Sequence, residues 1–414
     1  MRLSSRILTL FAVGLVLRPQ IVGVGPLLPR VEGSLHISHG VAGLLATIPV
    51  LCMGLFAPLA PPVLRRFGSR VAVGAALVAT GVFGVLRAVV PGAPLLLLLT
   101  VPVGIGIAVA GTLMPVVVKE EHTDRPAVGT GVYTTGINVG ATLAAFAAAP
   151  LAVAVGWRSA LVVVSAVSIV LIVPWLVRRH PAADAPERAP LPVRMPVAWL
   201  LVTVFALQSI LFYGFNSWLP DAYSERGWSD TRAGALVAVM NAFSLVVGIT
   251  VALVADLGGS RRTYLAAAAA AATCGSVLIA ADVPGAWAWV ALLGSATGVV
   301  FTIVMTLPLD AGHTRAEVVA LTTLMLGVGY SLTALAPTAL GALRDATGSF
   351  TLPLALLAGD AFMLFLLTVR MRDPRASRAR ATPMTASRPP DGARAPLTSP
   401  DTLAQGIDGS APLP

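Results

Sequence analysis

Twelve apolar stretches, each long enough to cross a bilayer as a helix, dominate this chain. They lie at 6–28, 40–63, 71–90, 93–118, 128–153 and 158–177, then at 197–219, 231–255, 263–282, 285–308, 318–342 and 350–370. One helical crossing takes about 20 apolar residues, and within the hydrocarbon every backbone polar group must be satisfied inside the protein. The stretches therefore predict an all-α integral membrane protein. Of its 414 residues, 56% are hydrophobic and 11% charged, under half of the roughly one quarter charged that soluble domains carry. That balance excludes a disordered chain, a collagen and a disulfide scaffold. Cys52 and Cys274 sit far apart in apolar runs, so they support neither a disulfide nor a zinc site. The first stretch opens with Arg2 and Arg6, as a signal peptide would. Its apolar run is too long for one and no small-residue cleavage site follows, so it is expected to stay as the first helix.

A net charge of +9 would suit nucleic acid, but the basic residues stand at the ends of the apolar stretches, so none is expected as a partner. With the N-terminus placed in the cytoplasm, 21 of the 28 basic residues fall on that side. Only Arg30, Arg158, Arg226, Arg232 and Arg344 fall opposite, and Arg18 and Arg87 lie within spans. The bias of basic residues towards the cytoplasm then predicts both termini cytoplasmic, in the plasma (inner) membrane. Residues 179–196 read as a Pro- and charge-rich linker between bundles at 1–178 and 197–370. Residues 371–414 are rich in Arg, Pro, Ser and Ala and are expected to be a disordered, solvated cytoplasmic tail. Contact of that basic tail with anionic lipid is the lesser reading.

The two bundles echo each other. Shifting the chain by 191 residues lays Leu28-Pro29 on Leu219-Pro220, Ser38 on Ser229, and Ala42-Gly43 on Ala233-Gly234. The same shift lays Gly68-Ser69-Arg70 on Gly259-Ser260-Arg261, Met114 on Met305, His122-Thr123 on His313-Thr314 and Gly136 on Gly327. Single matches mean little in so biased a composition, but a shared offset without a gap predicts two six-helix pseudo-repeats. Secondary transporters with parallel repeats place their substrate site at the midplane, between the repeats.

Three segments carry a family resemblance: LRPQIVGVGPLLP from Leu17, LLATIPVLCMGLFAPLAP from Leu44 and LQSILFYGFNSWLP from Leu207. The chain resembles the major facilitator superfamily and, within it, the cyanate and 2-nitroimidazole transporter family, over roughly 6–370. The resemblance implies secondary active transport of a small anionic or polar solute by alternating access. The expected partners are that solute and the lipid bilayer, with the chain a monomer. The superfamily's loop pattern Asp-Arg-x-Gly-x-Arg has two counterparts here. Arg65, Arg66, Gly68 and Arg70 form the first, and Asp256, Gly259 and Arg261 the second. Arg65 replaces the acid in the first copy, and Leu257 replaces an arginine in the second. Gating through charge pairs and anchoring of arginines at lipid head groups explain the two loops equally well.

Arg18 is the strongest pointer to a site. An arginine near the middle of a span costs at least about 2.5–3.5 kcal/mol to insert, so it normally faces the bundle interior and finds a partner. Pro19 should kink the helix there. Gly14, Val22 and Gly25 share the face of Arg18 and are expected to leave space beside the guanidinium. A fixed cation for an anionic or dipolar solute is the favoured reading, with a purely structural cation as the alternative. The repeat maps Arg18 onto Ser209, beside Gln208, and Gln208, Phe212 and Asn216 follow at intervals of four. Gln208 and Asn216 suit site lining and helix–helix bonding equally, whereas Tyr213 and Trp218 also suit an interfacial aromatic belt. Asn138, Tyr133, Asn241 and Tyr330 are further polar groups within spans.

Gly104, Gly106 and Gly111 are expected to pack helices, and Arg87 to extend to the interface. Asp360 is the one acid well inside a span, a possible proton carrier placed on what the resemblance makes a peripheral helix. Asp282 and Asp310 are expected to be solvated. The only lysine, Lys119, stands outside any Gly-Lys-Ser/Thr loop, and the five histidines are scattered. Neither an enzyme, a cofactor nor a metal is expected. Two alternatives to the solute transporter remain: proton-coupled multidrug efflux, and a membrane sensor that transports nothing.

Overall fold

The computed structural model describes residues 2–121, 126–177, 190–254, 260–312 and 314–371. Among them every regular element is helical. Asp256, Gly259, most of the expected linker and the expected tail beyond Met371 lie outside the described residues. Among the described residues eleven helices are long and apolar enough to cross a membrane, and His39–Leu55 is a shorter apolar one. We number them helix 1 (residues 2–35), helix 2 (His39–Leu55), helix 3 (Ala60–Val89), helix 4 (Ala93–Glu121), helix 5 (Pro126–Val155) and helix 6 (Trp157–Val177). Helices 7 to 10 are Pro196–Glu225, Asp230–Val254, Arg261–Ala280 and Ala286–Val304. Helix 11 runs through Arg315–Thr333 and Leu335–Thr347, and helix 12 is Thr351–Arg370.

The packing follows the 191-residue shift. In the first half helix 1 packs on 5, 2 on 4, 3 on 4 and 3 on 6; in the second, 7 packs on 11, 8 on 10, 9 on 10 and 9 on 12. Across the halves, helix 2 meets helix 11 and helix 5 meets helix 8, which the same shift interchanges. An even number of crossings puts the two ends of the described chain on one face of the bundle.

Helix 2 ends at Leu55, short of the expected 63. Pro58, Pro61 and Pro62 follow, and a proline both lacks the N–H and collides with the preceding turn. A short 3-10 turn, Ala57–Leu59, leads straight into helix 3, which is interrupted at Gly68 (φ 73°, ψ 163°). That backbone conformation is open only to glycine. Helix 1 is also broken. It runs as Arg2–Leu17, Pro19–Val22, a 3-10 turn at Gly25–Leu27, and Leu28–Leu35, with prolines at 19, 26 and 29.

The glycines around Arg18 do not leave room beside it, contrary to the expectation from sequence. A Cβ on Gly14 would lie 2.3 Å from the Tyr133 carbonyl oxygen of helix 5, and one on Gly25 would lie 2.0 Å from the Asn216 carbonyl oxygen of helix 7. Gly140 of helix 5 backs in the same way onto the Leu15 carbonyl, which Pro19 cannot serve; a Cβ there would lie 2.4 Å away. These residues are small so that backbones can touch, a packing device common in membrane bundles. Gly104 and Gly106 act alike, against Pro49 and Cys52 and against Ala76 and Thr80 respectively, while Gly111 faces open space.

Arg87 does not reach the interface. It is fully buried; its Nη2 donates to the backbone oxygen and to Oε1 of Gln20, both at 3.0 Å, and its Nη1 to Thr100 Oγ1 at 3.5 Å. Gln20 in turn donates to Ser165 and Ser168 of helix 6. Helices 1, 3, 4 and 6 are thereby tied by one buried cation, whose Nε has no partner. Gln20→Leu should cost about 1–3 kcal/mol, the penalty for stripping a buried polar group of an acceptor. Thermal unfolding of the detergent-solubilised protein measures it.

Candidate functional site

Arg18 stands at the break in helix 1, with φ −93° and ψ −30°. There the helix stops between Leu17 and Pro19, and the side chain turns into a small cavity between the halves. The cavity is lined by Arg18 of helix 1, Asn138 of helix 5, Gln208, Ser209, Phe212 and Tyr213 of helix 7, Ser244 of helix 8, Thr297 and Phe301 of helix 10, and Tyr330 of helix 11. Its volume is about 20 Å³, close to what one bound water needs. Any solute of more than a few atoms must therefore move the lining side chains.

Aromatic faces, not acids, hold the guanidinium. Its central carbon lies 5.5 Å from the ring centre of Phe212 and 5.6 Å from that of Tyr213. Tyr213, Tyr330 and Tyr133 are the titratable side chains that bear on it electrostatically, and among the described residues no carboxylate pairs with it. The rings brace one another edge to face: Phe212 on Tyr213, Tyr213 on Tyr330 and Phe205 on Tyr330, with centres 4.9–6.5 Å apart. Cation–π attraction at desolvated sites is worth about 2 kcal/mol, so the charge is held in position but not neutralised. In the same lining Gln208 donates to Ser209 at 3.2 Å, and its Oε1 is buried without a hydrogen-bond partner. A guest with a negative or dipolar end would meet the cation together with amide and hydroxyl groups of the lining.

Five of the six candidate binding residues, Arg18, Asn138, Gln208, Tyr213 and Tyr330, thus converge on one cavity. Asn216 does not. It donates to the Phe212 carbonyl at 2.8 Å and accepts from Asn241 Nδ2 at 2.8 Å, bonding helix 7 to helix 8. Trp218, which suits an interfacial aromatic belt by sequence, is instead buried and donates to the Pro337 carbonyl. Ser244, Thr297 and Phe301 escaped notice in the sequence. Thr297 and Phe301 do form an i, i+4 pair on helix 10, but nothing local separates them from packing residues.

The gating-loop residues face elsewhere. Arg65 and Arg66 are exposed, the latter over the ring of Phe67. Arg70 donates to the Leu176 carbonyl of helix 6 at 2.7 Å. Arg261, its counterpart by the repeat, pairs with Asp310 at 2.8 Å and donates to Thr306, so Asp310 is ion-paired, not merely solvated. Both arginines bind within their own half. Asp282 pairs with Arg226 at 3.1 Å, with its side chain 64% exposed. Asp360 is half-buried on helix 12 and does not line the cavity.

Comparison with known proteins matches residues 10–334 to the model of the Major Facilitator Superfamily. The 2-nitroimidazole transporter of Escherichia coli (strain K12) is 27% identical over 364 residues, covering 86% of this chain and 92% of that protein. The cyanate transport protein CynX of the same organism is 28% identical over 377 residues, covering 89% and 97%. Among solved structures, that of a D-xylose–proton symporter superposes with a TM-score of 0.70 at 14% identity, covering 90% of this chain and 98% of that one.

Proposed function

The chain belongs to the major facilitator superfamily, and on that premise we propose that it is a secondary transporter for a small anionic or strongly dipolar solute. Alternating access proceeds by rocking the two halves about the cavity at Arg18. The observation that carries this reading is a half-buried guanidinium at the junction of the halves, held against aromatic faces and, among the described residues, left without a carboxylate. A bound anion supplies the missing counter-charge, and the hydroxyl and amide groups of the lining fix its orientation. Cyanate and nitroimidazoles, named for the two relatives, have the charge distribution this calls for; the larger nitroimidazoles enter only as the lining side chains move, and the solute crosses unchanged. A lipophilic cation would be repelled by Arg18, which argues against multidrug efflux.

The basic residues orient the protein with both termini in the cytoplasm of a bacterial inner membrane. In that orientation the end of the bundle where the described polar bonds cross between the halves is the outer one, so the state described is closed to the outside. Asp360 has no place in this cycle, since it does not line the cavity. A thermal-shift screen of the purified protein against cyanate, nitrate, nitroimidazoles and lipophilic cations tests the reading. Stabilisation by small anions or nitroimidazoles is expected, and stabilisation by the cations alone would refute it. Phe212→Leu removes one ring face from the cation and should weaken solute binding by about 0.5–2 kcal/mol, read as a rise in Kd with folding intact.

A further inference from the structure

The end of the bundle away from the termini carries a cluster the transport reading does not use. Glu32 lies in the last turn of helix 1, His39 begins helix 2, and Asp221 lies in the last turns of helix 7. His39 Nε2 is 3.2 Å from Glu32 Oε2 and 3.8 Å from Asp221 Oδ2, and one ligand atom from each of the three residues falls within 4.8 Å of the others. Glu32 is 9% and Asp221 5% exposed. Glu32 Oε1 and Asp221 Oδ2 are nevertheless buried without a hydrogen-bond partner.

Apart from His39, no base among the described residues pairs directly with these two acids. Arg344 is taken by Glu225, its Nε donating at 2.7 Å, and Arg30 by Asp230 at 2.8 Å. The imidazole is held from its other side. Asp345 of helix 11 sits 2.8 Å from His39 Nδ1 and also accepts from the backbone N–H groups of His39 and Gly40. A carboxylate on Nδ1 keeps the proton there and turns the Nε2 lone pair towards Glu32 and Asp221. This is the way outer carboxylates orient metal-binding histidines.

We propose that Glu32, His39 and Asp221 bind a divalent transition-metal ion of the zinc class, oriented by Asp345 and bridging the two halves of the transporter. Zinc bonds of about 2.0–2.2 Å in a tetrahedron put ligand atoms roughly 3.3–3.5 Å apart, and the 3.2 and 3.8 Å separations here bracket that value. One nitrogen and two carboxylates leave a fourth position for water. Magnesium and calcium demand more oxygen ligands than the cluster offers. Glu32 and His39 belong to one half and Asp221 to the other, so the ion clamps this end shut until it leaves. The inference stands apart from the identity of the solute.

The test uses the full-length protein without a histidine tag, in detergent. Titrated Zn²⁺ should raise the melting midpoint saturably where Mg²⁺ does not, and Co²⁺ should give the intense visible absorption of a four-coordinate site. Glu32→Gln, which keeps the side-chain shape, and Asp221→Asn should abolish both signals, as should His39→Ala. Asp345→Asn should weaken binding by about 10–100-fold, the usual cost of losing an outer partner. Should His39→Ala fail to fold, the two isosteric variants decide. Absence of a saturable Zn²⁺ effect at millimolar metal, or an effect undiminished in Glu32→Gln and Asp221→Asn, overturns the proposal. A cluster responsive to pH alone would be an ion pair sharing protons and would overturn it equally.

Discussion

Arg18→Gln should abolish solute movement in proteoliposomes while the protein still inserts, folds and elutes as the wild type does. The substitution removes the only cation lining the cavity among the described residues but keeps a shorter, polar side chain. Losing one partner of a buried charged contact costs about 2–5 kcal/mol, which lowers apparent affinity by at least roughly thirtyfold. Stability should not fall with it, because no carboxylate is stranded when the guanidinium goes. Removing a desolvated charge relieves the folded state of its insertion cost. Arg18→Lys separates charge from shape. It keeps the cation but loses the planar face that stacks on Phe212 and Tyr213, so partial transport with a raised KM is expected. Full transport by Arg18→Gln, measured as uptake of labelled cyanate or a nitroimidazole, would remove Arg18 from the site.

The second large effect concerns motion. Gly25 lies against the Asn216 carbonyl across the boundary between halves, and Gly14 against the Tyr133 carbonyl inside one half. A valine at either position cannot fit, but the two conflicts resolve differently. Gly25→Val is relieved when the halves part at that end, so its strain, about 1–3 kcal/mol for overpacking, becomes a roughly five- to 150-fold shift towards the state open there. A cysteine placed at Ser217, with Cys52 and Cys274 first changed to serine, should then label faster with an impermeant maleimide. Gly14→Val has no such exit, since helices 1 and 5 move together. It should lower the melting midpoint and leave that labelling unchanged. Equal labelling in the two variants would show that the boundary drawn here is not the one that moves.

Much of the fold could be read from the chain because a membrane removes choices. Hydrocarbon forces every crossing to be a helix of about 20 residues, so apolar length alone located the spans, and the 191-residue echo assigned them to two halves. The errors came where prolines cut apolar runs without ending their hydropathy, as after Leu55, where helix 2 stops short. Arg18 was legible because a charge in mid-span is costly and needs a reason. Arg87 carried the same signal and was misplaced, since its buried partner Gln20 lies 67 residues away on another helix.

What the sequence determined by itself was therefore what depends on one helix at a time: the number of crossings, their repeat, the orientation bias and the one conspicuous cation. Only the tertiary structure decided which polar groups meet. Asn216 and Gln208 are eight residues apart on one helix face, yet one bonds helix 8 and the other faces the cavity. Glycines that look like open space in the sequence turn out to be points where backbones touch. Glu32, His39, Asp221 and Asp345 come from four segments of the chain and form a cluster only once the halves close. The physical reason is common to all three. In an apolar chain local patterning fixes burial against lipid, whereas the contacts among buried polar atoms are set by how helices distant in sequence are turned towards one another.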